Sequence, residues 1–142
     1  MDDLVFGLID IMLGFEPSLP KIPIIVTVGK IIASDGVFKA IEQYRELKRQ
    51  RPDIYDFSES QLNMLGYRLI GNERPDDAVE IFKLNVEMFP ESANTYDSLA
   101  EAYKISGNKE LAIENYKKSI ALNPNNSNGV KMLESLQSND NY

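Results

Sequence analysis

A gapless internal repeat constrains this chain more than any other feature. Residues 59–92 (ESQLNMLGYRLIGNERPDDAVEIFKLNVEMFPES) lie over residues 93–126 (ANTYDSLAEAYKISGNKELAIENYKKSIALNPNN) at a period of 34. Five positions are identical: Leu65/Leu99, Ala78/Ala112, Glu80/Glu114, Lys83/Lys117 and Pro90/Pro124. Elsewhere size is kept rather than identity. Leu62/Tyr96, Leu69/Tyr103, Val79/Ile113, Phe82/Tyr116, Val86/Ile120 and Met88/Leu122 set large against large, and Gly66/Ala100 sets small against small. A period of this length means one supersecondary unit per copy, and such a unit covers its apolar face only by stacking on the next.

Each copy divides into two predicted helices. Tyr96, Leu99, Ala100 and Tyr103 recur at the three- and four-residue spacing of one helix face, and Ala112, Ile113, Tyr116 and Ile120 repeat it. Ser106-Gly107-Asn108 between them supplies turn and capping chemistry. The earlier copy reads alike, with Leu62, Leu65, Gly66 and Leu69 on one helix and Ala78, Phe82 and Val86 on the other. Pro75 suits a first helical turn, where its missing N–H is not needed. Pro90 and Pro124 stop the second helices. The small residues Gly66, Ala78, Ala100 and Ala112 fall where two helix axes approach and a neighbour's ring needs room.

On these residues the segment resembles two tandem tetratricopeptide repeats. The later copy carries that pattern at Tyr96, Leu99-Ala100, Tyr103, Ala112, Tyr116 and Pro124; the earlier one has Leu62 and Leu69 where the pattern has aromatics. The resemblance implies an all-α, right-handed solenoid of helical hairpins with a concave groove. Its organisation is then residues 1–20 as an N-terminal apolar helix and linker, 21–58 as a degenerate hairpin plus insert, repeats at 59–92 and 93–126, and 127–142 as a capping helix and frayed tail.

The degenerate hairpin is read from Ala40, Tyr44, Leu47 and Pro52, whose offsets match those of Ala78, Phe82, Asn85 and Pro90. Counting back places Pro23 to Ile32 where a first helix belongs. Five consecutive β-branched residues there favour a strand, but Ile24, Val28 and Ile31 share a helix face, and a strand would have no evident partner. Residues 4–15 (LVFGLIDIMLGF) are apolar nearly all round and are expected to be a helix covered on several sides, by closing the solenoid's open end or by self-association. Gly129 to Gln137 reads as a short amphipathic cap, with Val130, Met132, Leu133 and Leu136 apolar.

A second, narrower resemblance rests on Ala40-Ile41-x-x-Tyr44-Arg45-Glu46-Leu47-Lys48, on Tyr55-Asp56-Phe57-Ser58-Glu59-Ser60 and on Leu62-x-x-Leu65-Gly66-Tyr67. These runs are similar to the repeat-containing tails that follow serine β-lactamase-like hydrolase domains, and Asp10 to Lys21 resembles the join. That resemblance implies an accessory tail whose catalytic domain is absent here.

Catalytic groups are scarce. With no Cys and no His the chain has no thiolate nucleophile, no imidazole base and neither of the common transition-metal ligands. Ser-x-x-Lys occurs at Ser18–Lys21 and Ser106–Lys109, but Pro20 opposes a helix in the first and the second falls in a turn; Lys-Thr-Gly is missing. Asn123 to Glu134 only faintly resembles a calcium loop, and helix capping by Asn125, Asn126 and Ser127 accounts for it better. No enzyme, cofactor or metal is expected.

Charge narrows the partner. Fifteen Lys plus Arg against 22 Asp plus Glu leave a net −7, which disfavours nucleic acid and anionic membrane. No run is long and apolar enough to cross a bilayer, and the acidic start lacks a secretory signal's positive region, so a complete chain would be expected in the cytoplasm. The expected function is non-enzymatic protein interaction, with the hydrolase tail as the alternative. Carried across from the repeat family, the groove positions are Asn63, Met64, Tyr67, Asn94, Asp97, Ser98 and Glu101. Asp97 and Glu101 would repel a carboxylate, so a basic or neutral peptide or helix is the expected partner.

Overall fold

The computed structural model describes residues 19–138 of the 142-residue chain. The expected N-terminal apolar helix, its self-association, Ser18 and the end of the tail lie outside those residues. Within them are seven helices and one two-residue parallel β pair. They are β1 (Ile22–Pro23), α1 (Ile24–Asp35), α2 (Val37–Gln50), β2 (Tyr55–Asp56), α3 (Glu59–Gly71), α4 (Pro75–Met88), α5 (Ala93–Ile105), α6 (Lys109–Leu122) and α7 (Ser127–Ser138). The chain forms three antiparallel hairpins, α1/α2, α3/α4 and α5/α6, stacked in order and capped by α7.

The β-branched start of α1 is helical, as the burial periodicity predicts. Ile24, Ile25, Val28 and Ile32 are buried on one side, and Ala40, Ile41 and Tyr44 of α2 join them in the same core. Burying several such side chains at ~1.5–3 kcal/mol each outweighs a propensity deficit of a few tenths per residue. The expectation of no strand needs one correction. Ile22–Pro23 pairs with Tyr55–Asp56 of the insert, and the Ile22 N–H donates to the Ile54 carbonyl at 2.9 Å. The alternating-burial logic that identifies strands cannot find a ladder of two residues.

The insert is also an aromatic filler. Phe57 meets the fully buried Tyr44 ring edge-on at 5.3 Å, and Tyr55 lies 6.1 Å from Phe57. Asp56 then organises the entry to α3. Its carboxylate accepts the Ser58 N–H at 2.9 Å and the Gln61 amide at 3.2 Å, and these bonds, that of the Ser58 N–H above all, favour the ionised form and lower its pKa below the usual carboxylate value. Gln61, itself buried, accepts the Ile25 N–H at 3.4 Å and so ties α3 to the start of α1.

The repeat period reappears in the packing. Gly66 lets the Phe82 ring lie against α3, and Ala100 and Tyr116 share one apolar cluster in the next hairpin. Buried Asn85 donates to the Glu59 carbonyl at 3.1 Å, and buried Ser119 donates to the Ala93 carbonyl at 2.8 Å. Donors and acceptors are each 34 residues apart, so the two bonds are copies. Each satisfies a carbonyl at the first residue of the first helix of its hairpin. Turns follow the same register: Gly107 has φ 84° and Glu73, its counterpart, φ 59°. Asn108 caps α6 by accepting the Leu111 N–H at 3.4 Å. Asn126 caps α7 by accepting the Gly129 N–H at 2.9 Å, the capping role expected of its Asn-rich stretch.

Candidate groove site

The first helices of the hairpins, α1, α3 and α5, lie side by side. Three side-chain bonds cross from α3 to α5 and use most of the sequence-selected positions. Asn94 donates to Glu59 at 2.8 Å, and Ser98 donates to Asn63 at 2.8 Å. The Tyr67 hydroxyl donates to Glu101 at 2.8 Å and stands 3.3 Å from the Ser98 oxygen. These rungs fall one helical turn apart on both helices, which sets α3 and α5 in register.

Asp97 is on the α5 flank that faces the cap, accepting the Asn126 amide at 2.7 Å. That amide also donates to Ser119 at 2.9 Å, so Asp97, Asn126 and Ser119 form one polar junction between α5, α6 and α7. Met64 stands apart from the rungs and is half exposed. Ser98 is buried beneath the strip at 1% exposure, where it can hold Asn63 and Tyr67 but offers little surface of its own. Sequence reasoning missed Glu59 and Asn126. Glu59 lies 35 residues before Asn94, the spacing shared by Asn63 and Ser98, and that recurrence was the available signal.

The electrostatics of the strip are one-sided. Glu59, Asp97 and Glu101 contribute carboxylates, and none of the seven sequence-selected residues is a cation. Tyr67 is pushed up to about 12, chiefly by burial, with the charges of Glu101 and Asp97 adding to it. Burial and the same two carboxylates raise Tyr116 behind them. Tyr67 therefore stays a neutral donor that orients Glu101, while its ring meets Phe82 edge-on at 5.2 Å. Among the described residues no group of three or more acidic side chains is placed to hold a metal ion. Ser106, expected in an exposed turn, donates to the Tyr103 carbonyl at 3.1 Å and ends α5.

Residues 93–126 match the family described as tetratricopeptide repeat. The fold is a tetratricopeptide-type helical-hairpin solenoid. Solved structures agree. A crystal structure of MamA is 24% identical with a TM-score of 0.56, over 79% of this chain and 63% of that one. The first repeat domain of Spaghetti (RPAP3), bound to the HSP90 peptide SRMEEVD, is 16% identical with a TM-score of 0.57, over 81% and 88%. The Yersinia enterocolitica type III secretion chaperone SycD, in complex with a peptide of the translocator YopD, is 14% identical with a TM-score of 0.56, over 82% and 92%. The chain thus spans about 63% of the MamA chain. No curated protein sequence matches it. The family match covers a tetratricopeptide repeat alone; it indicates no catalytic family and gives no support to a hydrolase-tail origin.

Proposed function

We propose that the chain is a non-enzymatic interaction module that holds a peptide or helix of a protein partner along the α3–α5 strip, with a basic or neutral segment preferred. The observation that carries this reading is the charge of the strip: Asp97, Glu101 and Glu59 with no cation among the selected positions, beside half-exposed Met64 and the Tyr67 ring. An extended peptide laid there would meet carboxylates for Lys or Arg and an apolar edge for one anchor. Two proteins of the same fold, SycD and Spaghetti, are seen with peptides, which supports a peptide as the class of partner. The strip is pre-organised by its own hydrogen bonds, so little side-chain freedom is left to lose on binding.

Labelled peptides of equal apolar content, one cationic, one neutral and one anionic, provide the test by fluorescence anisotropy. The cationic and neutral peptides should bind more tightly than the anionic one, with the difference shrinking as salt is raised. Asp97→Asn with Glu101→Gln keeps acceptors for Asn126 and Tyr67 but removes both charges, and should cost the cationic peptide about fivefold in affinity. Equal binding of all three peptides, or no effect of the double variant, would move the partner off this strip.

A further inference from the structure

The turn that opens α7 holds the sequence's one Asn-Gly dipeptide, Asn128-Gly129. Packing requires the glycine. A Cβ on Gly129 would stand 2.5 Å from the Asn126 amide nitrogen and 3.1 Å from an Asp97 carboxylate oxygen. Asn126 is pinned against moving aside. Its amide donates to Asp97 at 2.7 Å and to Ser119 at 2.9 Å, and its oxygen accepts the Gly129 N–H at 2.9 Å. Gly129 is buried in this junction, whereas Asn128 beside it is exposed. The fold therefore keeps next to an exposed asparagine the residue that makes its amide most reactive.

An asparagine amide carbon is open to attack by the backbone nitrogen of the next residue, and glycine, lacking a Cβ, hinders that approach least. The Gly129 nitrogen gives up its proton to solvent base and bonds to Asn128 Cγ, while the Cγ–Nδ2 bond breaks and ammonia leaves. Water then opens the cyclic imide at either carbonyl, giving aspartate or isoaspartate. In the folded chain that nitrogen is engaged, held in the first turn of α7 and donating to Asn126. We propose that Asn128-Gly129 is a spontaneous deamidation site that the Asn126 cap holds in check, and that its conversion to isoaspartate releases α7 from the end of the solenoid. Isoaspartate routes the main chain through an extra methylene, which breaks the 3.1 Å bond from the Val130 N–H to the Asn126 carbonyl along with the cap. It also adds a carboxylate to the turn that already holds Asp97. The helix has little to offset that loss, because Met132, Leu133 and Leu136 pack on Ala100, Ala112 and Tyr116 while only partly buried. The inference is independent of what binds the α3–α5 strip.

Ageing the full-length protein in mildly alkaline buffer tests this, with mass spectrometry of the tryptic peptide 119–131 reporting amide-to-acid conversion at position 128. Native protein should convert about tenfold more slowly than the same protein unfolded in urea, because the first turn of α7 must open first. Asn126→Ala should bring the native rate to within about threefold of the unfolded one, while Asn126→Ser, which keeps a capping oxygen, should stay near the native rate. Aged protein enriched in isoaspartate should then lose hydrogen-exchange protection in α7 and be cut faster after Lys131, with α3 to α6 still protected. Equal rates in native and unfolded protein, an Asn126→Ala variant as slow as the native one, or an isoaspartate form whose α7 amides stay protected would each overturn the proposal.

Discussion

Gly66→Ala tests whether close approach, rather than helix propensity, governs the repeat interface. In a helix interior the change alone should stabilise by roughly 0.5–1 kcal/mol, because Gly loses more chain entropy on folding. The structure predicts the opposite sign. A Cβ at position 66 would stand 2.4 Å from two carbons of the Phe82 ring and 2.8 Å from a third, whereas carbon atoms in contact prefer about 3.5–4.0 Å. The ring would have to retreat by about 1 Å. It has little room to do so, being fully buried and met edge-on by Tyr67 at 5.2 Å. Overpacking of this kind costs about 1–3 kcal/mol, which leaves a net loss of about 1 kcal/mol and lowers the melting temperature by about 4 °C. Urea unfolding followed by far-ultraviolet circular dichroism would measure it. In a Phe82→Leu background the clash is relieved, so Gly66→Ala should turn neutral or stabilising, with a coupling of about 1 kcal/mol. A higher unfolding midpoint for Gly66→Ala in the native background would refute the reasoning.

Three further outcomes are expected. Glu73→Gly should raise stability by about 1 kcal/mol in urea unfolding, because Glu73 holds φ 59° where its counterpart is Gly107. Ser119→Ala should lower it by about 1–2 kcal/mol, since it strips the Ala93 carbonyl and the Asn126 amide of a partner. Tyr44 is pushed up to about 12 by burial first and by the charges of Asp56 and Glu87 second. The unfolded chain releases that proton near pH 10 and the folded one does not, so stability should be flat below pH 10 and fall between pH 10 and about 12. Because the Tyr44 hydroxyl has no hydrogen-bond partner among the described residues, Tyr44→Phe should be harmless at pH 7 yet make the alkaline slope of the urea midpoint shallower, the slope that is left belonging to Tyr67 and Tyr116.

Hairpins α3/α4 and α5/α6 were legible because their signals are periodic: alternating large and small side chains, a turn with Asn or Gly, a stopping Pro. The helix α1 was legible by counting back from Ala40 and Tyr44 and from the face shared by Ile24, Val28 and Ile31, against its β-branched local composition, and in the fold that face packs with α2. What stayed hidden are features that depend on a distant partner. Tyr55–Asp56 needs Ile22–Pro23 to be a ladder at all. Glu73 betrays nothing of a left-handed backbone until it is set against Gly107. In the candidate site, the repeat register located the helix positions, but it could not tell that Ser98 would sink beneath the strip or that Glu59 would reach Asn94. Side-chain length and rotamer decide those outcomes, and periodicity carries no information about either.

The contrast between the two flanks of α3 traces back to one local difference in sequence. Between α4 and α5 the link is four residues with one Pro, 89–92, and those helices pack directly. Between α2 and α3 the link is eight residues, 51–58, and those helices make no comparable contact. Tyr55 and Phe57 from the insert pack at that junction, and β1–β2 clamps the starts of α1 and α3. On the α5 side, polar rungs from Glu59 to Glu101 close the seam along its length. On the α1 side, the polar tie among the described residues is that from Gln61 to Ile25, and beyond it the α1–α3 cleft is lined by an apolar floor with Lys30, Arg68 and Arg74. Shortening the insert should therefore disturb the α1–α3 cleft and spare the α3–α5 strip. Deleting Asp53 and Ile54 ought to strip the hydrogen-exchange protection at the start of α1, which β1–β2 pairing holds, while peptide affinity at the strip is unchanged. Loss of both together would mean that the two surfaces are one cooperative unit and that the junction does not separate them.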